Sequence, residues 1–199
     1  MEFEEILKRR RMVRSYKQEQ IPRDALERIV GTVLRAPSGG FSQGHRLFVV
    51  TEPETRHRIA ELFDEASSVA EGREPWIGSA PALIVVGTRE ASYHERYQRP
   101  DKLQGGTEIE WPVPYWHVDA GAAMMLILLA AIDEGYTAGV FGVPVEHMPE
   151  FKELLSIPDD VAVVACVTVG RPADDKNWSA VSSRLTQSRK SLDELVRWG

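Results

Sequence analysis

Ala120-Gly121-Ala122-Ala123-Met124-Met125-Leu126-Ile127-Leu128-Leu129-Ala130-Ala131-Ile132 is the longest apolar run in this chain of 199 residues. Its 13 residues fall short of the roughly 20 needed to span a bilayer. Asp119 on one side and Asp133-Glu134 on the other bracket it. The run reads as a helix from Val118 to Glu134, buried on nearly all sides in the core of a soluble protein. Gly135 suits its C-terminal stop. Downstream, Val161 to Gly170 is apolar on both faces and reads as a central strand. Upstream, Ala82 to Gly87 reads as a second buried strand and Arg46 to Thr51 as a third.

Helices fill much of the remainder. The spacing predicts one over Glu2–Arg11 and one following Pro22, ended by the breaker cluster Ala36-Pro37-Ser38-Gly39-Gly40. Further helices are expected over Glu54–Val69 and Pro144–Leu155, with a long polar excursion over Arg89–Pro114. Strands and helices mix without strict alternation, so the fold class is α+β rather than a doubly wound sheet. Beyond Arg171 the chain is polar until Leu192, Leu195 and Val196, a short apolar stripe suited to docking on a second subunit.

Composition narrows the function classes. The chain holds 24 Lys plus Arg against 30 Asp plus Glu, a formal net charge of −6. That balance argues against nucleic acid as a partner, because nonspecific binding neutralises phosphates. One cysteine, Cys166, excludes a disulfide framework and a Cys-rich zinc site, and its apolar neighbours make it core filler. The charged N-terminus has no apolar export segment, so a cytoplasmic location and no membrane partner are expected. Neither Gly-x-Gly-x-x-Gly nor a P-loop is present, and the five histidines show no metal spacing.

Charge is uneven along the chain. Residues 1–50 hold ten basic and six acidic residues, a local balance of +4. Arg9-Arg10-Arg11-Met12-Val13-Arg14 lies there; such a run suits a phosphate or a solvated helix end. Ala36-Pro37-Ser38-Gly39-Gly40-Phe41-Ser42-Gln43-Gly44 joins a helix to a strand, the reverse of a nucleophile elbow, so Ser38 is not read as a nucleophile. Gly135 to Pro144 reads as a tight glycine-rich connection. Ser188-Arg189-Lys190-Ser191 forms a second basic cluster.

Taken in order, these features resemble the FMN-dependent nitroreductase family. The resemblance rests on Arg10-Arg11-Met12-Val13-Arg14-Ser15-Tyr16, on Ala36-Pro37-Ser38 with Gln43, and on Asp119 to Ala123. It continues through Gly135–Gly142, Gly170-Arg171-Pro172, and Arg189-Lys190 before Leu192 and Glu194. Met12 stands where the family often has Ser, Phe41 where Asn is common, and Gly142 near where some members carry an acid. The resemblance implies a nitroreductase-like α/β sandwich, a central and mostly antiparallel sheet flanked by helices, in one domain over 1–199. It implies a homodimer with two FMN sites, each built from both chains.

By the same resemblance Arg10, Arg11, Met12, Arg14, Arg189 and Lys190 would surround the phosphate. Pro37, Ser38, Gly39, Gly40 and Gln43 would line the flavin or ribityl chain from the partner. Val140, Phe141 and Gly142 would lie against the ring system. Trp111, Tyr115 and Trp116 are read either as shaping the substrate face or as aromatic packing or dimer contacts. The implied activity is ping-pong transfer from NAD(P)H to a nitroaromatic, quinone or similar small-molecule acceptor, with the cofactor supplying the chemistry and no catalytic side chain named. A flavin-binding or ligand-sensing dimer without turnover, reductive dehalogenation and enone reduction are the alternatives.

Overall fold

The computed structural model describes residues 1–173 and 190–199. Four strands form one sheet: β1 (His45–Val50), β2 (Ala82–Thr88), β3 (Thr137–Phe141) and β4 (Ala162–Gly170). Their order is β1-β2-β4-β3, and every neighbouring pair is antiparallel. β2 and β4 are central, in agreement with their apolar sequences. The helices are α1 (Phe3–Arg9), α2 (Arg23–Gly31), α3 (Pro53–Leu62), α4 (Glu65–Ala70), α5 (Ala91–Tyr97), α6 (Tyr115–Asp133), α7 (Met148–Leu154) and α8 (Leu192–Leu195).

Helices cover both faces of the sheet. Alternate residues of β2 point to opposite sides, as the strand period requires. Ala82, Ile84 and Val86 join Val167 and Val169 of β4 in a core against α2 and α6. Leu83, Val85 and Cys166 face the other way, packing with Ile59 of α3 and Phe151 of α7. Both faces are covered, which is why β2 reads as a continuous apolar run. Burial raises the pKa of the Cys166 thiol well above its usual range, as fits a packing residue.

Several expectations need correction. The stretch 54–69 is two helices, because Asp64 adopts a left-handed backbone (φ 49°) between them. The Arg89–Pro114 excursion contains α5. The glycine-rich connection after α6 contains β3, an edge strand paired in register with β4 from Thr137↔Gly170 to Phe141↔Cys166. Only five residues long and carrying Gly139, β3 lacks the apolar length that marks a strand in sequence.

α6 is also longer than the apolar run, at 19 residues from Tyr115. Its length and composition would suffice for a membrane span, yet Ala120, Ala123, Ile127 and Ala131 are fully buried against the sheet. It is a core helix. It is not covered on all sides in the single chain, however. Tyr115, Val118 and Met125 remain 40%, 56% and 45% exposed. With half-buried Ala122 and Leu129 they follow helical spacing as one apolar stripe.

Gly139 explains how the N-terminal segment joins the sheet. Val13 N–H donates to the Ala138 carbonyl at 3.0 Å, and Met12 pairs with Ala138 in a parallel bridge on the free edge of β3. A Cβ at Gly139 would collide with the Val13 carbonyl oxygen and come within 2.8 Å of Thr168 Oγ1. Gly139→Ala is expected to destabilise the protein by about 1–3 kcal/mol, the cost of overpacking a tight contact. Chemical denaturation checks this, and an unchanged midpoint would contradict it.

Candidate functional site

The segment 10–17 is stitched to β3 and β4 by a buried polar network. Tyr16 donates its hydroxyl hydrogen to the Val13 carbonyl, and its oxygen lies 2.7 Å from both that carbonyl and Thr168 Oγ1. Thr168 Oγ1 in turn accepts from Gly139 N–H at 3.1 Å. Lys17 N–H donates to the Arg171 carbonyl, and Ala173 N–H to the Ser15 carbonyl. The segment is thereby held extended while Val13 and Tyr16 enter the core. Burial pushes the Tyr16 phenol above its usual range, so it stays neutral and able to donate.

That anchoring presents Arg14 outward. Its guanidinium lies 5.2 Å from the ring centroid of Trp76, within cation–π range. Trp76 also meets Phe141 edge to face at 5.5 Å. Gly139, Phe141 and Trp76 thus share one side of β3, while Val140 turns into the core beneath α6. Val140 is half-buried, packed against the core on the face away from Trp76, and Gly142 stands exposed just past the strand end. Among the described residues, Arg10, Arg11, Arg14 and Lys190 have no carboxylate within ion-pair distance. Arg189 lies outside the described residues.

Trp76 is the contributor that sequence reading missed. It lies in a loop, and only its position just ahead of the buried strand β2 hinted at a role. The loop is held from below by Glu65 of α4. This buried carboxylate accepts Trp76 N–H at 2.7 Å, Ile77 N–H at 2.6 Å and Gly78 N–H at 3.1 Å. Arg56 adds a bond to the Gly78 carbonyl at 2.9 Å.

The Pro37–Gln43 loop lies elsewhere. It leads into β1, the sheet edge opposite β3. Two strands intervene, so the edges stand about 14 Å apart at the usual inter-strand spacing. The loop is a tight structure with Gly40, Phe41 and Gln43 all at positive φ (59°, 60° and 51°). Ser38 Oγ accepts Gln43 N–H at 3.1 Å, so that hydroxyl closes the turn. Asp119, at the start of α6, accepts Gly39 N–H at 2.8 Å and the Tyr93 hydroxyl at 2.7 Å through one oxygen. The His45 ring approaches the Pro37 carbonyl at 3.2 Å, and Arg96 donates to the Gly40 carbonyl at 2.9 Å. A Cβ at Gly40 would meet the Tyr97 ring at 2.6 Å.

The aromatic excursion packs behind this loop. Trp111 is the hub, with ring contacts to Tyr97 at 4.5 Å, Trp116 at 5.8 Å and Tyr115 at 6.1 Å. Trp116 is buried within the cluster, packed against the Trp111, Tyr93 and His94 rings. Tyr115 is exposed and Trp111 half-buried. Glu108 accepts Trp111 Nε1–H at 2.7 Å and lies 2.6 Å from His94 Nδ1. His117, beside Asp119 in sequence, is exposed and lies 6.1 Å from the Trp116 ring.

The nitroreductase family model matches residues 7–171. The chain belongs to the nitroreductase family. An FMN reductase (NAD(P)H) from Bacillus subtilis is 28% identical over 188 residues, covering 92% of this chain and 70% of that protein. An iodotyrosine deiodinase from Nematostella vectensis is 26% identical over 214 positions, covering 98% and 74%. The crystal structure of a nitroreductase family protein from Clostridium novyi superposes with a TM-score of 0.65 and 28% identity, covering 87% of each chain. The nitroreductase-like fold is thus established along with the family.

Two outcomes follow from this geometry. The His94 pKa is raised, chiefly by its hydrogen bond to Glu108 and further by Glu90. A raised folded-state value means the contact stabilises fully below the unfolded pKa of about 6.5. The stabilisation is lost as pH rises through the folded value. Trp111 fluorescence should therefore change with a midpoint above about 6.5, and His94→Gln should abolish the change. The family resemblance puts Arg14 at the FMN phosphate, and on that expectation Arg14→Ala should weaken FMN binding by about tenfold or more, from loss of a charge-assisted bond of roughly 1.5–3 kcal/mol. Riboflavin, lacking the phosphate, should lose far less; equal losses by fluorescence titration would remove Arg14 from the phosphate.

Proposed function

We propose that this NAD(P)H-dependent FMN oxidoreductase works as a homodimer that reduces a nitroaromatic, quinone or similar acceptor by a ping-pong scheme. The observation that carries this reading is the separation of the two half-sites on opposite edges of one sheet. Arg14, Trp76 and Phe141 lie at the β3 edge, and the Pro37–Gln43 loop at the β1 edge. A second copy supplies the missing half to each site. The apolar stripe Tyr115, Val118 and Met125 on α6, with Leu192, Leu195 and Trp198 near the C-terminus, gives that copy a surface to cover. Residues 1–199 act as one domain in this reading.

The residues present fit the cofactor. Arg10, Arg11, Arg14 and Lys190 offer forked and point-charge donors to a phosphate without a competing acid among the described residues. Trp76 and Phe141 give a flat ring an apolar wall beside β3. Gly142, exposed past the strand end, leaves its backbone approachable. When bound, FMN supplies hydride and electron transfer between the two substrates. The protein's own work is to bind, orient and exclude water. Glu65, the carboxylate behind Trp76, is committed to three backbone N–H groups, so no side chain is assigned a proton.

Both substrates use the same open face and exclude each other. Double-reciprocal plots should give parallel lines, with the acceptor competing against the nicotinamide. Intersecting lines would refute the shared face. Light scattering of the flavin-bound protein at micromolar concentration should give a dimer mass, since an obligate interface buries over about 2,000 Å². A monomer with flavin bound would refute the two-chain site. The deiodinase relative supports reductive dehalogenation as a second reading, and release of halide from a haloaromatic in place of nitro reduction would favour it.

A further inference from the structure

A polar cavity of about 570 Å³ lies between the turn at Gly39–Phe41 and α5, outside the cofactor residues named above at the β3 edge. That volume suits a small ligand or the end of a larger one. Arg46, Arg89, Arg96 and Arg99 line it, with Glu95 and Asp101 as the acids. The arginines divide into two kinds. Arg89 is held by Glu95 at 2.8 Å and Asp160 at 2.6 Å, and Arg96 by both oxygens of Asp101. These pairs stiffen the wall.

Among the described residues Arg46 bonds the Gln43 and His45 carbonyls through Nη1 and makes no hydrogen bond through Nε or Nη2, with the Glu95 and Asp160 carboxylates near enough to feel its charge. Arg99 is exposed and has no ion pair among the described residues. Arg99 is therefore uncommitted at this cavity and Arg46 only partly committed, neither having an ion pair among the described residues. Phe41 completes the wall, the residue being 75% exposed and its backbone at φ 60°, a conformation unusual for a non-glycine residue. An exposed aromatic ring beside forked cationic donors is the chemistry that takes a purine carrying a phosphomonoester.

We propose that this cavity binds the adenosine 2′-phosphate end of NADPH, with Arg46 and Arg99 on the phosphate and Phe41 against the adenine. The proposal rests on the reading of the chain as an NAD(P)H oxidoreductase and assigns its nucleotide preference. The same loop carries Phe41 and the residues expected to line the flavin, so the site lies beside the path of the co-substrate.

The test titrates the purified protein with 2′,5′-ADP and with 5′-AMP by calorimetry. It also measures kcat/KM for NADPH and NADH in the wild type, Arg99→Ala and Arg46→Ala. The expected result is at least tenfold tighter binding of 2′,5′-ADP than of 5′-AMP, with that preference lost in both variants. The NADPH/NADH ratio of kcat/KM should fall about tenfold. Arg99→Ala removes no structural contact and serves if Arg46→Ala fails to fold. Equal binding of the two nucleotides, or parallel loss of NADPH and NADH activity in Arg99→Ala, would overturn the site. Preference for 2′,5′-ADP in a protein whose flavin neither nicotinamide bleaches would uphold the anion site and overturn the oxidoreductase reading instead.

Discussion

The approach of Val13 to Gly139 is the contact on which the placing of Arg14 depends. A main-chain carbonyl sits where any side chain at residue 139 would have to be. That closeness lets the segment after α1 pair with β3, and the Tyr16–Thr168–Gly139 bonds then lock it. Every polar atom in that buried network has a partner, as burial requires. Arg14 gains its place over Trp76 from this anchoring rather than from any contact of its own with the sheet. An arginine on an unanchored strand would sample many directions, and its donors would contribute less to binding after that entropy is lost.

A comparable device holds the other edge. One oxygen of Asp119 gathers Gly39 N–H and the Tyr93 hydroxyl, linking the loop, α5 and α6 at a single buried carboxylate. The Tyr93 phenol is pushed above its usual range, first by burial and then by Asp119, which keeps it a donor. Phe41 and Gln43, the two non-glycine residues of the loop at positive φ, carry backbone strain of order 1–3 kcal/mol each. Such strain persists only where surrounding contacts over-determine the conformation, and Asp119, His45, Arg96 and Tyr97 supply those contacts. In both halves rigid secondary structure fixes the backbone, and a few buried polar atoms fix the loop upon it.

The aromatic excursion shows how a polar-looking stretch becomes ordered. Its residues include turn formers and charges, yet Tyr93, Tyr97, Trp111 and Trp116 close around one another and Glu108 ties Trp111 to His94. Rings of this size bury large apolar areas, so four of them can organise a stretch with little regular structure. The cluster packs beneath the Pro37–Gln43 loop and gives Gly40 a tyrosine wall.

The sequence by itself determined the elements with strong periodicity or long apolar runs. β2 and β4 were legible because burial on both faces keeps them apolar, and α6 because its exposed stripe is as apolar as its buried face. The α+β class followed from their order, and the ordered motifs from Arg10 to Glu194 carried the family. Tertiary structure alone decided β3, whose five residues are stabilised by pairing with β4 rather than by their own propensity. It decided the break at Asp64, where a local backbone reversal left no compositional mark. It also decided the site. Trp76 became a neighbour of Arg14 and Phe141 through the Glu65 clamp, and Trp116 was withdrawn into a cluster. The Arg10–Arg14 segment and the Pro37–Gln43 loop went to opposite edges because strand order is set by long-range pairing, which no local spacing encodes.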